Sequence, residues 1–144
     1  MEYFCLDRET AHKTAPQNGS GVKVLIVEDE GIIALDISLM VAKLGHSVSG
    51  VVYSGEESVR EAGKIRPDVV LMDIRLKGKI DGLQAARMIG ARYHIPIIYI
   101  TALSDSTTLE RAWATKPLAF LQKPFDEREL ESILSGVSRK KSSA

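Results

Sequence analysis

Asp68-Val69-Val70-Leu71-Met72-Asp73 is an apolar run set between two carboxylates, opened by Pro67 and followed by a polar loop. A continuous apolar segment of this length fits a parallel strand covered on both faces better than a strand with one wet face. Asp73 then stands at the strand's exit. In open α/β sheets the carboxyl ends of the strands border the crevice where ligands bind, so polar groups arriving there together form a site. Two further apolar runs end the same way, one at Glu28 and Asp29 and one at Thr101. Taken singly, each of these residues reads equally well as the start of a loop or a helix cap.

Outward from this run, strand and helix patterns alternate. Apolar strands are predicted at 22–27, 48–52, 68–73, 97–101 and 118–121. Between them, Ile33, Ile37, Met40, Val41 and Leu44 recur three and four apart as one helical stripe that Gly45 ends. Ser54 with Glu57 reads as a capping box, Asp81 with Gln84 as a weaker one, and Asp126 with Glu129 as a further capping pair. Leu83, Ala86, Gly90 and Tyr93 are expected on the inner face of the third helix. Leu109, Ala112 and Trp113 mark the fourth, and Leu130, Ile133, Leu134 and Val137 the last. Five strand–helix alternations with right-handed crossovers make a doubly wound α/β unit, (βα)5, with a five-stranded parallel sheet between two layers of helices.

The chain has 144 residues, enough for one domain with a sizeable core. Residues 1–21 read as a flexible leader or linker, 22–138 as the folded unit and 139–144 as a polar basic tail. Nineteen basic and 19 acidic side chains cancel, which argues against direct binding of nucleic acid. Cys5 is the only cysteine, so neither an intrachain disulfide nor a cysteine-based zinc cluster is available. The apolar runs are too short to span a membrane, and the cytoplasm is the expected compartment.

Glu28, Asp29 and Asp73 brought together would repel one another unless protonated or held by a cation. Magnesium, which takes oxygen ligands and needs few carboxylates, is the economical solution. His12, His46 and His94 fall in a tail, a turn and a helix end and read as solvent-facing groups. Lys123, at another strand end, supplies a compact positive charge able to pair with Asp73 and then hold a phosphoryl oxygen. An ordinary surface lysine is the alternative.

Five pieces now stand in order: Val27-Glu28-Asp29-Glu30, Leu71-Met72-Asp73-Ile74, Asp81-Gly82, Ile100-Thr101-Ala102 and Lys123-Pro124-Phe125. In this order and at these intervals the chain resembles a two-component response-regulator receiver domain, a flavodoxin-like fold, from residue 22 to about 138. The resemblance implies phosphoryl transfer to Asp73 from the phosphohistidine of a sensor histidine kinase or histidine phosphotransfer protein. Glu28, Asp29, Asp73 and the backbone carbonyl of Arg75 would organise Mg2+, with Thr101 and Lys123 acting on the phosphoryl oxygens. It further implies self-modification rather than turnover of a separate substrate, and a switch in which Thr101 moves inward and Phe120 changes rotamer.

The output face would be the fourth helix, fifth strand and fifth helix, carrying Arg111 and Trp113, with Trp113 as exposed contact or core. The loop after Asp73 departs from many receivers: Leu76-Lys77-Gly78-Lys79-Ile80 contains no proline, which points to a more mobile or slightly longer loop. The kinase, the downstream target and homodimerisation stay open. Two rival functions are a receiver-like interaction module independent of phosphorylation and a hydrolase using a phosphoaspartyl intermediate.

Overall fold

The computed structural model describes residues 21–102 and 105–143. The expectations for residues 1–20, among them Cys5 and His12, lie outside the described residues. Ten elements alternate: β1 (Lys23–Val27), α1 (Gly31–Lys43), β2 (Ser47–Val52), α2 (Gly55–Ile65), β3 (Val69–Asp73), α3 (Gly82–Tyr93), β4 (Ile97–Thr101), α4 (Ser106–Ala114), β5 (Ala119–Gln122) and α5 (Glu127–Ser143). The strands form one parallel sheet in the order β2-β1-β3-β4-β5. β3 lies at its centre and is buried along its whole length.

Because side chains alternate across a strand, each central strand feeds two cores. Leu25, Val27, Val70, Met72, Ile97 and Tyr99 face the layer of α2, α3 and α4, where they join Val59, Ala62, Leu83, Ile89 and Ala112. Val24, Ile26, Val69, Leu71, Ile98, Ile100 and Leu121 face α1 and α5, where they join Ile37, Val41, Leu130, Leu134 and Val137. The doubly wound architecture expected from the alternation is therefore the observed one, and its strand ends all open on one edge.

The caps follow the sequence with one difference. The Asp81 carboxylate accepts the Gln84 amide at 2.9 Å and the Gln84 side chain accepts the Asp81 amide at 3.0 Å, a complete capping box. Asp126 and Glu129 exchange the same pair of bonds at 3.0 and 3.3 Å. Ser54 accepts the Glu57 amide at 3.2 Å, but Glu57 returns its bond to the amide of Tyr53, one residue outside the cap.

The inner face of α3 carries Leu83 and Ala86 as expected, with Tyr93 packed against the core, and departs from expectation at Gly90. Leu83, Ala85, Ala86 and Ile89 are buried, while a Cβ at Gly90 would meet nothing within 4 Å. His46 is not the free solvent group expected. Its Nδ1 accepts the Val22 amide at 3.1 Å, and burial holds its pKa below the ordinary histidine value. The last helix continues through Arg139-Lys140-Lys141, where Lys141 Nζ donates to Asp68 at 3.1 Å and to the Gly21 carbonyl at 3.0 Å.

Gly82 is the contact that fixes α3 against the central strand. Its amide donates to the Ile74 carbonyl at 2.9 Å, and a Cβ there would collide with the carbonyl oxygen of Asp73 and lie 2.8 Å from the Ile74 Cα. Both contacts are with backbone, which leaves no side chain to yield. Gly82→Ala is expected to cost about 2 kcal/mol or more in urea denaturation, as overpacking does. Gly90→Ala, placed in open space within the same helix, is expected to stabilise by roughly 0.5–1 kcal/mol. Equal effects of the two substitutions would contradict this account of the packing.

Candidate functional site

The carboxyl ends of β1, β3, β4 and β5 deliver Glu28, Asp29, Asp73, Thr101 and Lys123 to one edge of the sheet. One oxygen from each of Glu28, Asp29 and Asp73 falls within 4.8 Å of the others. An open cleft of about 700 Å³ lies over them, lined by Asp29, Glu30, Asp73, Arg75, Leu76, Lys77, Thr101, Ala102, Asp105 and Lys123. Glu28 does not line it. That side chain is 1% exposed, beneath the floor, with Oε2 accepting the Glu30 amide at 3.2 Å.

Lys123 bridges the buried layer and the cleft. Its Nζ lies 2.8 Å from Glu28 Oε1 and 3.5 Å from Asp73 Oδ2, so the shorter bond goes to Glu28 and not to the aspartate that sequence reasoning paired with it. Burial by itself lowers the ammonium pKa, but the Glu28 hydrogen bond and the two carboxylate charges outweigh it and leave the pKa raised. The backbone amide of Lys123 donates to the Thr101 carbonyl at 2.8 Å, tying the ends of β4 and β5 together.

Asp73 is 6% exposed. Burial first, then the neighbouring Glu28 charge, push its pKa up to about 7, while Lys123 and the Arg75 amide, which donates to Oδ1 at 3.1 Å, pull the other way. The carboxyl is thus easier to protonate than an ordinary one, and a cation beside it would favour its charged form. Asp29 takes the Lys77 amide on Oδ2 at 3.3 Å.

The aromatic residue of β5 is also placed. Phe120 is half-buried, stacked on Trp113 at 5.7 Å between ring centroids and tilted against Tyr99 at 6.0 Å. Trp113 is 54% exposed, which settles its alternative in favour of the surface, and Arg111 is exposed on the same helix. Two participants escaped sequence reasoning. Tyr99 hydrogen-bonds Thr115 at the end of α4 at 2.7 Å. Glu56 accepts amides from the loop after Asp73. Neither has a local sequence signal, because each meets its partner only across the fold.

The sequence matches the response regulator receiver domain family over residues 24–135. The chain belongs to that family. Among curated relatives, this receiver is 36% identical over 118 residues to the transcriptional regulatory protein PdtaR of Mycobacterium tuberculosis, covering 81% of this chain and 57% of that protein. It is 35% identical over 115 residues to the phyllosphere-induced regulator PhyR of Methylorubrum extorquens, covering 78% and 42%. The chain therefore spans about half the length of these relatives.

Among solved structures, the signal receiver domain of a modulated diguanylate cyclase from Desulfovibrio desulfuricans is 37% identical with a TM-score of 0.79, covering 85% of this chain and 98% of that one. The receiver domain of a sensor histidine kinase from Pseudomonas aeruginosa, with a magnesium ion coordinated in its active-site cleft, is 34% identical with a TM-score of 0.74, covering 83% and 98%. A receiver domain modifies and restores itself rather than turning over a separate substrate. No helix among the described residues is long and apolar enough to cross a membrane.

The raised Asp73 pKa fixes a sign for stability. The folded state binds this proton more tightly than the unfolded chain, so stability from this group is fully present below the ordinary value of 3.8 and is lost as pH rises to about 7. In buffer containing chelator, the wild type should lose up to about 1.4 kcal/mol per pH unit more than Asp73→Asn through this window. Urea denaturation at about pH 5, 6, 7 and 8 checks it. Parallel stability curves for the two proteins would show that Asp73 titrates normally.

Proposed function

We propose that this receiver is a phosphoacceptor signalling domain of a two-component system, taking a phosphoryl group from a partner phosphohistidine onto Asp73 with Mg2+ and changing a protein-interaction surface in response. The observation that carries the reading is the arrangement around Asp73: a nearly buried carboxyl with a raised pKa, two further acids beside it and the Lys123 ammonium held over the floor.

The donor set fits a hard dication. Its groups are all oxygens, burial and then the Glu28 charge already raise the Asp73 pKa, and an octahedral ion needs only one or two carboxylates beside water and phosphate oxygens. Asp29, Asp73 and the backbone carbonyl of Arg75 would hold Mg2+. Glu28, whose oxygens are engaged by Lys123 and the Glu30 amide, would contribute mainly negative charge. Bound there, the ion would neutralise charge on the phosphoryl oxygens.

The chain's own groups then account for the transfer. An ionised Asp73 oxygen attacks phosphorus in line as the bond from phosphorus to the imidazole nitrogen breaks, and that nitrogen keeps the electron pair. Lys123, anchored by Glu28, offers its remaining N–H bonds to a phosphoryl oxygen. The hydroxyl of buried Thr101 would take another oxygen and draw the end of β4 inward. Phe120, without a phenol, would pass the change on through packing against Trp113. The partner kinase or phosphotransfer protein presents its histidine at the open cleft, and a downstream protein reads the α4–β5–α5 face.

Acetyl phosphate with Mg2+ should add one phosphoryl group, mapped by peptide mass analysis to Asp73 and absent from Asp73→Ala. Specific labelling at another residue would overturn the assigned acceptor. Lys123→Ala should slow labelling by about a hundredfold, as loss of one oriented charge donor commonly does, while changing Mg2+ affinity far less.

Trp113 is the chain's only tryptophan, and its stacking on Phe120 makes it the natural reporter of the response. Its emission should change on phosphorylation of the wild type but not on Mg2+ treatment of Asp73→Ala. Unchanged emission in fully labelled protein would remove Phe120 from the signalling route.

A further inference from the structure

The loop from β3 to α3 lacks the proline that would stiffen it, yet carboxylates from three directions hold its backbone. The Arg75 amide bonds Asp73 at 3.1 Å and the Lys77 amide bonds Asp29 at 3.3 Å, both on the cleft side. Farther along, the amides of Lys79 and Ile80 both donate to Glu56, to Oε2 and Oε1, at 3.4 Å each. Glu56 projects from the first turn of α2, a different element from those carrying the acidic site.

The fit around this carboxylate is tight. Gly78 has φ +119°, which only glycine adopts readily, and a Cβ there would lie 3.1 and 3.2 Å from the two Glu56 oxygens. At Gly55, the residue before Glu56, a Cβ would lie 2.8 Å from Ile80 Cγ1 and 3.0 Å from the Ile80 carbonyl oxygen. Two glycines thus let the start of α2 and the loop backbone meet without intervening side chains, with a charge acceptor at the contact.

Resting on the phosphoacceptor reading above, we infer that Glu56 is a positioning residue for the Asp73 site, fixing the far half of the loop so that the Arg75 carbonyl and the Lys77 amide are held ready beside Asp73 and Asp29. It touches neither the phosphoryl group nor the metal. Its effect passes along the loop backbone, which runs without interruption from the Glu56 contacts at residues 79 and 80 to the groups at 75 and 77. A loop left to itself would pay the ordering cost when Mg2+ binds, whereas one already fixed does not.

Glu57 supplies the control. It lies in the same helical turn and carries the same charge, but its carboxylate accepts the Tyr53 amide and has no bond to the loop. Both residues place negative charge in the first turn of α2, so a role confined to charge at the helix start predicts equal behaviour. Glu56→Ala, Glu56→Gln and Glu57→Ala would be compared by hydrogen exchange of the metal-free proteins and by calorimetric titration with Mg2+ alone. Labelling with acetyl phosphate completes the set.

Glu56→Ala is expected to raise exchange at residues 77–80 and weaken Mg2+ binding about tenfold, the low end for residues that orient metal ligands. Labelling should slow at limiting Mg2+ and recover when Mg2+ saturates. Glu56→Gln, which keeps one acceptor oxygen, should fall between it and the wild type and serves if the alanine variant does not fold. Glu57→Ala should lower the melting temperature while leaving loop exchange and Mg2+ affinity unchanged.

Wild-type Mg2+ affinity in both Glu56 variants, with or without a loosened loop, would overturn the inference. So would equal losses in the Glu56 and Glu57 variants, because the effect would then come from the helix start. A wild-type chain that binds Mg2+ but takes no phosphoryl group at Asp73 would instead defeat the phosphoacceptor reading, leaving the exchange and titration results to judge Glu56 on their own.

Discussion

One ammonium group governs the active edge of this sheet. Lys123 lies 2.8 Å from a carboxylate that is 1% exposed and 3.5 Å from another that is 6% exposed. A buried carboxylate without a partner is strongly destabilising, and removing one member of such a pair commonly costs about 3–5 kcal/mol. The end of β5 brings Lys123 over Glu28 and so supplies the partner that this buried side chain needs. The same bond fixes where that ammonium sits. Charge compensation and the aim of the ammonium toward Asp73 are one interaction.

The compensation is incomplete, and the shortfall is concentrated on Asp73. Burial first, then the Glu28 charge, raise the Asp73 pKa to about 7, and Lys123, which serves both acids, offsets them only in part. A carboxyl in this condition gains more from a cation than an exposed one does, because binding relieves both desolvation and like-charge repulsion. The fold thus stores in Asp73 an electrostatic demand that oxygen-loving ions can satisfy. In the Pseudomonas aeruginosa receiver domain of similar fold, a magnesium ion is coordinated in the active-site cleft.

Backbone order around the site has a different source. The amides at Arg75 and Lys77 are taken by site carboxylates, those at Lys79 and Ile80 by Glu56, and the amide of Gly82 by the carbonyl of Ile74. A loop that looked loose for want of proline is held by acceptors instead. Proline is visible in a sequence, whereas an acceptor from another helix is not.

Much of the molecule was legible from residues alone. Apolar runs ending in polar side chains marked the strands, as at 97–101, where expectation and structure agree, and the helical stripe of Ile37 and Val41 identified the buried face of α1. Such features are local: strand, stripe and cap each depend on side chains a few positions apart. The five spaced motifs likewise marked Glu28, Asp29, Asp73, Thr101 and Lys123 before any geometry was known. The tertiary structure decided that Lys123 bonds chiefly to Glu28, that α3 turns Ile89 and not Gly90 inward, that His46 accepts the Val22 amide and that Glu56 anchors the loop. Each of these depends on distances between elements far apart in the chain, and hydrogen bonds and ion pairs are decided by ångströms that residue order alone does not contain.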